Sequence, residues 1–210
     1  MKRTNVQDKY RKFFYETTRQ KVLEYLFRYP DLEFSLSDLA KEISVSKGNL
    51  GDILREFHKD ELILLTPLSK IWRVKANQQN WFFRKSKIVF NLNAVYQSGL
   101  VEFLNDFYQN PRAMILFGSF RWGADISSSD IDIAIEIDQE VKDEARVVLL
   151  RQLVADNKKN HDLVVEIEEY LSRNIQVLVF NKKSRENVDL HVFNNIANGI
   201  VLGGFLEVKL

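Results

Sequence analysis

GSFRWGADISSSDIDIAIEI, residues 118 to 137, concentrates more chemistry than any other twenty residues of the chain. In its second half acidic and apolar side chains alternate. That spacing predicts a strand with Asp130, Asp132 and Glu136 on one side and Ile131, Ile133, Ile135 and Ile137 on the other. Two carboxylates two residues apart project together and repel unless a cation sits between them. Asp-x-Asp at the edge of a cleft is an oxygen-ligand pair suited to Mg²⁺ or Mn²⁺, hard ions that take one or two carboxylates plus substrate phosphates. Gly118 and Ser119 supply the complementary wall. Without a Cβ, Gly118 lets a phosphate approach the backbone, while Ser119 adds a hydroxyl and can start a short helix with free N–H groups. Together these features describe a site for ATP or another nucleoside triphosphate.

The flanking sequence frames this stretch. RAMILF, residues 112 to 117, is a short apolar run expected to be a buried strand. Before it, Leu92, Val95, Leu100, Phe103, Leu104 and Phe107 approximate one face of a helix from about Ile88 to Tyr108, and Pro111 follows. Beyond it, helices are expected over 140–157 and 162–172, then a strand, NIQVLVF. Val188, Val192, Phe193 and Ile196 give helical spacing before Gly199.

The multi-part arrangement Gly118-Ser119, Gly123, Ser129-Asp130-Ile131-Asp132 resembles the signature of the DNA polymerase β superfamily, specifically its minimal nucleotidyltransferase branch. The likeness spans about Ile88 to Leu210, including the closing NIANGIVLGG. It implies transfer of a nucleoside monophosphate from a triphosphate to an acceptor hydroxyl. Asp130 and Asp132 would then be catalytic metal ligands, with Gly118, Ser119 and Ser129 around the nucleotide. The acceptor it implies is either a hydroxyl of a toxin-like helical partner protein or a small molecule such as an aminoglycoside. Two departures stand out. The family usually carries a third carboxylate on a later strand, which completes a two-metal site and can serve as general base; the matching position here is Gln176. An amide takes no proton from a hydroxyl and binds a dication far less strongly. Asp189, or Glu166 or Glu168, are the alternative sources of that carboxylate, and without one the domain would be a catalytically weak or inactive nucleotide sensor. The family also often has Arg just before the second glycine, where this chain has Trp122; Arg121, one place earlier, either reaches phosphate or is a solvated arginine.

The first part of the chain follows a different pattern. TTRQKVLEYLFRY places Val22, Leu23, Leu26 and Phe27 on one helical face, ended by Pro30. Ser35 or Ser37 can cap a second helix burying Leu39, Ala40 and Ile43, and a third follows near residues 46–63. LILLTP and IWRVKA then read as a two-stranded wing. From about Phe14 to Ala76 this order resembles winged helix-turn-helix regulators. The resemblance implies double-stranded DNA as a partner, with Ser46, Lys47 and Asn49 entering the major groove and Lys70 and Arg73 on or near the wing, and a homodimer reading paired half-sites. The other reading is a dimerisation or protein-docking module. The expected fold class is α+β: a winged-helix domain over 1–76, a linker over 77–87 and a nucleotidyltransferase domain over 88–210.

Composition agrees with this division. Residues 1–90 hold 18 Lys and Arg against 11 Asp and Glu, whereas residues 91–210 hold 12 against 18. A basic half suits a polyanion and an acidic half suits concentrated carboxylates. Of the 210 residues 45% are hydrophobic, enough for packed cores, and none is cysteine, which excludes disulfides and thiolate metal sites. No apolar run reaches membrane-spanning length and the basic, aromatic start lacks the features of a secretory signal, so a cytoplasmic location is expected.

Overall fold

The structure is a computed structural model that describes residues 17–68, 71–139 and 147–207. The chain divides between Phe90 and Asn91 into two compact units.

In the first unit, helix α1 (Thr18–Arg28) begins where the Thr17 side chain accepts from Gln20 N, and it buries Val22, Leu26 and Phe27. Strand β1 (Glu33–Ser35) leads into α2 (Leu36–Glu42), capped by Ser35 rather than Ser37. Helix α3 (Lys47–Lys59) buries Leu50, Leu54 and Phe57. Strands β2 (Ile63–Leu68) and β3 (Ile71–Ala76) pair antiparallel from Ile63 opposite Ala76 to Leu68 opposite Ile71. The expected two-stranded ribbon is a three-stranded sheet, because β1 pairs antiparallel with β3 and makes it the central strand. Leu26, Leu39, Leu50, Leu54, Ile63 and Val74 close the core beneath.

Residues 81–87, expected as linker, are helical instead: α4 runs Trp81–Gln97. Its start is fixed by Asn80, whose side-chain oxygen accepts from Phe83 N at 2.8 Å. No Gly or Pro interrupts the segment, and Phe83 sinks into the core of the first unit with its ring 4.9 Å from Phe27. Trp81 and Phe82 are exposed. The single helix expected to end near Tyr108 is broken, because Gly99 adopts a left-handed conformation (φ +78°) and α5 restarts at Leu100–Phe107.

The second unit is built on a five-stranded mixed sheet of order β6-β7-β5-β4-β8. Its strands are β4 (Ala113–Phe117), β5 (Ile131–Glu136), β6 (Val147–Leu149), β7 (Ile175–Phe180) and β8 (Ile200–Gly204). β5 runs parallel to β7 and antiparallel to β4. The helix expected over 140–157 is corrected. Residues 140–146 lie outside the described residues, Val147–Leu149 form the edge strand β6, and only Leu150–Leu153 (α6) are helical. The β-branched pair Val147-Val148 favours the ladder with β7 over a helix. Helix α7 (Lys158–Leu171) starts earlier than expected because the Asn157 side chain accepts from Asn160 N. Helix α8 (Leu190–Ala197) is capped by Asp189.

The sheet is covered on both faces. On one, Ile131, Ile133 and Ile135 pack with Leu100, Leu104, Val164 and Ile167. On the other, Ala134, Ile115 and Leu178 pack with Val188 and Ile196. By strand alternation Asp132 shares this second face with Ala134 and Glu136, but it stands at the end of β5 where the chain enters the sheet.

Candidate active site

The site forms where β4 ends and β5 begins. Pairing of Phe117 with Asp132 brings the turn after β4 beside the acids heading β5. Gly118 takes φ +70°, and a Cβ built there would stand 2.1 Å from Asp132 Oδ2. Two independent features thus favour glycine: the left-handed backbone and the closeness of the carboxylate, which a Cβ would displace. Ser119 opens a 3₁₀ turn, Phe120–Trp122, without spending its side chain on capping it, and Gly123 closes that turn at φ +63°. The helix expected at Ser119 is therefore a single three-residue turn.

The loop between the glycines and the acids is anchored from beneath. Asn91 Nδ2 donates to the carbonyl of Phe120 and to Asp125 Oδ1, both at 2.8 Å, so one buried amide ties two points of the loop together. Asp125 also pairs with Arg173 at 3.4 Å, both nearly excluded from water. Ser129 Oγ accepts from Ile126 N at 3.0 Å, fixing the turn that delivers Asp130.

The two acids have different surroundings. Asp132 is partly buried, and no hydrogen bond or ion pair reaches it among the described residues. Burial first, and the negative charge of Asp130 second, push its carboxyl up to about 6. Asp130 is held instead by two amides: Asn174 Nδ2 donates to Oδ1 at 3.2 Å and Gln176 Nε2 to Oδ2 at 2.5 Å. Gln176 is also the register partner of Asp132 on the parallel strand β7, which puts an amide level with the acid pair. The alternative carboxylates are engaged elsewhere. Asp189 accepts from His191 N and Val192 N at the head of α8. Glu168 accepts from Ile175 N and from Arg151, and Glu166 is exposed on α7.

Arg121 does not face the site as a free cation. It is buried, donates to the carbonyl of Asn198 and lies 3.8 Å from the ring centre of Trp122, so contact with phosphate would break both. Glu136, expected beside the other acids, is also withdrawn. It is fully buried at the far end of β5, bonded to Arg185 at 2.5 Å and 3.8 Å from Arg112. Beside Asp130, on the β7 side, a polar cavity of about 270 Å³ opens between Ser127–Ser129, Arg151, Glu169 and Asn174. The glycine turn lies on the β4 side.

Sequence reasoning passed over Asn91, Asp125, Arg173 and Asn174. Of these only Asn174 carried a signal, two residues before Gln176 in NIQVLVF. The others meet only through folding. In the first unit Ser46, Lys47 and Asn49 are exposed at the head of α3. Arg73 lies on the central strand, paired with Glu33 at 3.9 Å. Lys70 lies outside the described residues.

A covered mixed sheet with an acid pair at the head of its central strand, facing a glycine-serine turn, defines a nucleotidyltransferase-type domain. Residues 99–202, which lie within the second unit, match the family model described as "Polymerase beta, Nucleotidyltransferase". No curated protein and no solved structure matched the chain. Among the described residues, no helix is long and apolar enough to cross a membrane.

Proposed function

We propose that the protein is a metal-dependent nucleotidyltransferase that moves a nucleoside monophosphate from a nucleoside triphosphate to an acceptor hydroxyl, coupled to a DNA-binding first unit. One observation carries this reading. The Asp132 carboxylate occupies the space that a Cβ would take at Gly118, so the acids heading β5 and the Gly118-Ser119 turn form one site in which metal ligands and phosphate donors stand side by side. The donor set suits one Mg²⁺ or Mn²⁺, with Asp132 and Asp130 as ligands. Bound there, the ion would neutralise charge on the phosphates. The remaining work falls to the chain itself. The Gly118 backbone and Ser119 hydroxyl grip phosphate, Ser129 fixes the turn that aims Asp130, and the Asn91–Asp125–Arg173 anchor holds the loop so that little ordering is left to binding. The cavity beside Asp130 seats the acceptor, on the side of β5 away from the glycine turn. A hydroxyl of a toxin-like helical partner or of a small molecule such as an aminoglycoside fits this reading.

Calorimetry with ATP and Mg²⁺ tests it. Wild type should bind, and a variant carrying Asp130→Ala with Asp132→Ala should not; no binding by wild type removes the proposal.

A second reading is favoured by the amide at Gln176: a DNA-binding transcriptional regulator whose transferase fold senses nucleotide with little or no turnover. The helix order and hairpin of the first unit support a winged helix. The exposed Ser46, Lys47 and Asn49 stand where such a fold meets the major groove, and Lys70 and Arg73 are assigned to the wing. A homodimer on paired half-sites and a cytoplasmic location belong to the same proposal. A gel shift on DNA upstream of the protein's own coding region separates the readings. Salt-sensitive binding that ATP modulates, without nucleotide transfer, identifies the regulator.

A further inference from the structure

A carboxylate can only accept hydrogen bonds, so the amides that meet Asp130 must present N–H to it. Each of its oxygens therefore has a hydrogen pointed at it from the β7 side, one from Asn174 at 3.2 Å and one from Gln176 at 2.5 Å. A cation approaching from that side would meet these hydrogens before it met the oxygens. Turning the Gln176 amide so that its oxygen faced a cation would strip Asp130 of its closer donor. The charges point the same way. Two carboxylates balance one dication, and the amides add dipoles but no negative charge. Among the described residues no third His, Cys, Asp or Glu joins the pair to make a metal-binding group. The residues present thus fit one ion shared with a triphosphate and do not fit a second.

We infer that Asn174 and Gln176 form an amide clamp occupying the side of Asp130 where a second cation would sit, so that the site takes a single divalent ion with its nucleotide. This rests on the nucleotide-binding reading of the site. It assigns Gln176 as a positioning residue that sets ion number. The clamp holds Asp130 by hydrogen bonds alone, without cancelling its charge, and leaves Asp132 as the less encumbered ligand. Gln176 itself offers an acceptor hydroxyl no carboxylate to take its proton.

The test counts Mn²⁺ by titration calorimetry and by electron paramagnetic resonance, in the presence of a non-hydrolysable ATP analogue. Wild type should bind one Mn²⁺ per chain and Gln176→Glu, of the same shape, should bind two. Without metal, Gln176→Glu sets a carboxylate against Asp130 and should melt below wild type; Mn²⁺ should raise its melting temperature by more than it raises that of wild type. Gln176→Ala should remain at one ion. Two ions on wild type overturn the clamp while leaving the transferase reading intact, and one ion on a folded Gln176→Glu overturns it as well. A wild type that binds no nucleotide with Mn²⁺ overturns both. Should Gln176→Glu fail to fold, the wild-type ion count decides.

Discussion

Strand β5 carries acids on one face at both of its ends and treats them in opposite ways. At the far end Glu136 is fully buried and met by two guanidinium groups, from Arg185 and Arg112. At the near end Asp130 is met by two neutral amides, and Asp132 has no hydrogen bond or ion pair among the described residues. Removing a charge from water costs several kcal/mol, and a fixed counter-charge offsets that cost permanently. Glu136 is therefore committed to structure. Amides orient a carboxylate without cancelling its charge, so the near end keeps negative charge available to an ion from outside. A buried acid thus shows its role less by its burial than by the charge of its partners.

The largest expected effect lies at the structural end. Glu136→Gln leaves two partly buried arginines facing an amide and should cost about 3 kcal/mol, the lower end of the usual range for removing one partner of a buried ion pair. Urea unfolding followed by tryptophan fluorescence measures it, and a loss below about 1 kcal/mol would break the contrast between the two ends. Next comes the anchor under the site. Asn91→Ala leaves the Phe120 carbonyl and Asp125 each short of a donor and should cost about 1–3 kcal/mol. The same variant should weaken ATP binding because the loop is no longer held in advance, and an unchanged affinity would show that the anchor serves stability alone.

At the glycine turn, Gly118→Ala should cost about 1–2 kcal/mol from its left-handed backbone. Its new Cβ also displaces Asp132, so calorimetry should find ATP and Mg²⁺ affinity reduced at least tenfold, about 1.4 kcal/mol of binding. The smallest effect has the opposite sign. The Asp132 carboxyl is raised to about 6 from an ordinary value near 3.8. Its contribution to stability is therefore fully present below about pH 4 and lost as pH rises through about 6. In metal-free buffer Asp132→Asn should melt above wild type at pH 7.5, and the difference should shrink toward pH 4. ATP with Mg²⁺ should reverse the order at pH 7.5. A metal-free difference independent of pH would mean that Asp132 is not under electrostatic stress.

Much of the site was legible as pattern, and the reasons are local. Alternation over residues 130–137 marked β5, and Gly118-Ser119 before a polar turn marked the loop, because strand period and glycine freedom are both properties of neighbouring residues. Pattern misled where a distant partner intervened. Glu136 shares the alternation of Asp130 and Asp132, yet Arg112 and Arg185 claim it. Arg121 reads as either a phosphate contact or a solvated arginine, yet it is buried and Asn198, 77 residues away, accepts its hydrogen bond. Within the helix expected over residues 140–157, Val147–Leu149 instead pair with β7 as the edge strand β6.

The sequence alone established two unlike halves, the acid pair and the glycine before it, all visible as spacing or composition within short windows; that Gln176 stands where a third carboxylate is usual came from the family resemblance. Only the tertiary structure decided which acids remain open to an outside ion and which are neutralised by arginine. It also brought Asn174 and Gln176 onto Asp130, and Asn91 onto Asp125. Those pairings join residues 34 to 46 positions apart, and no local rule reaches across such gaps. They arise when strands come into register and buried polar groups must find partners.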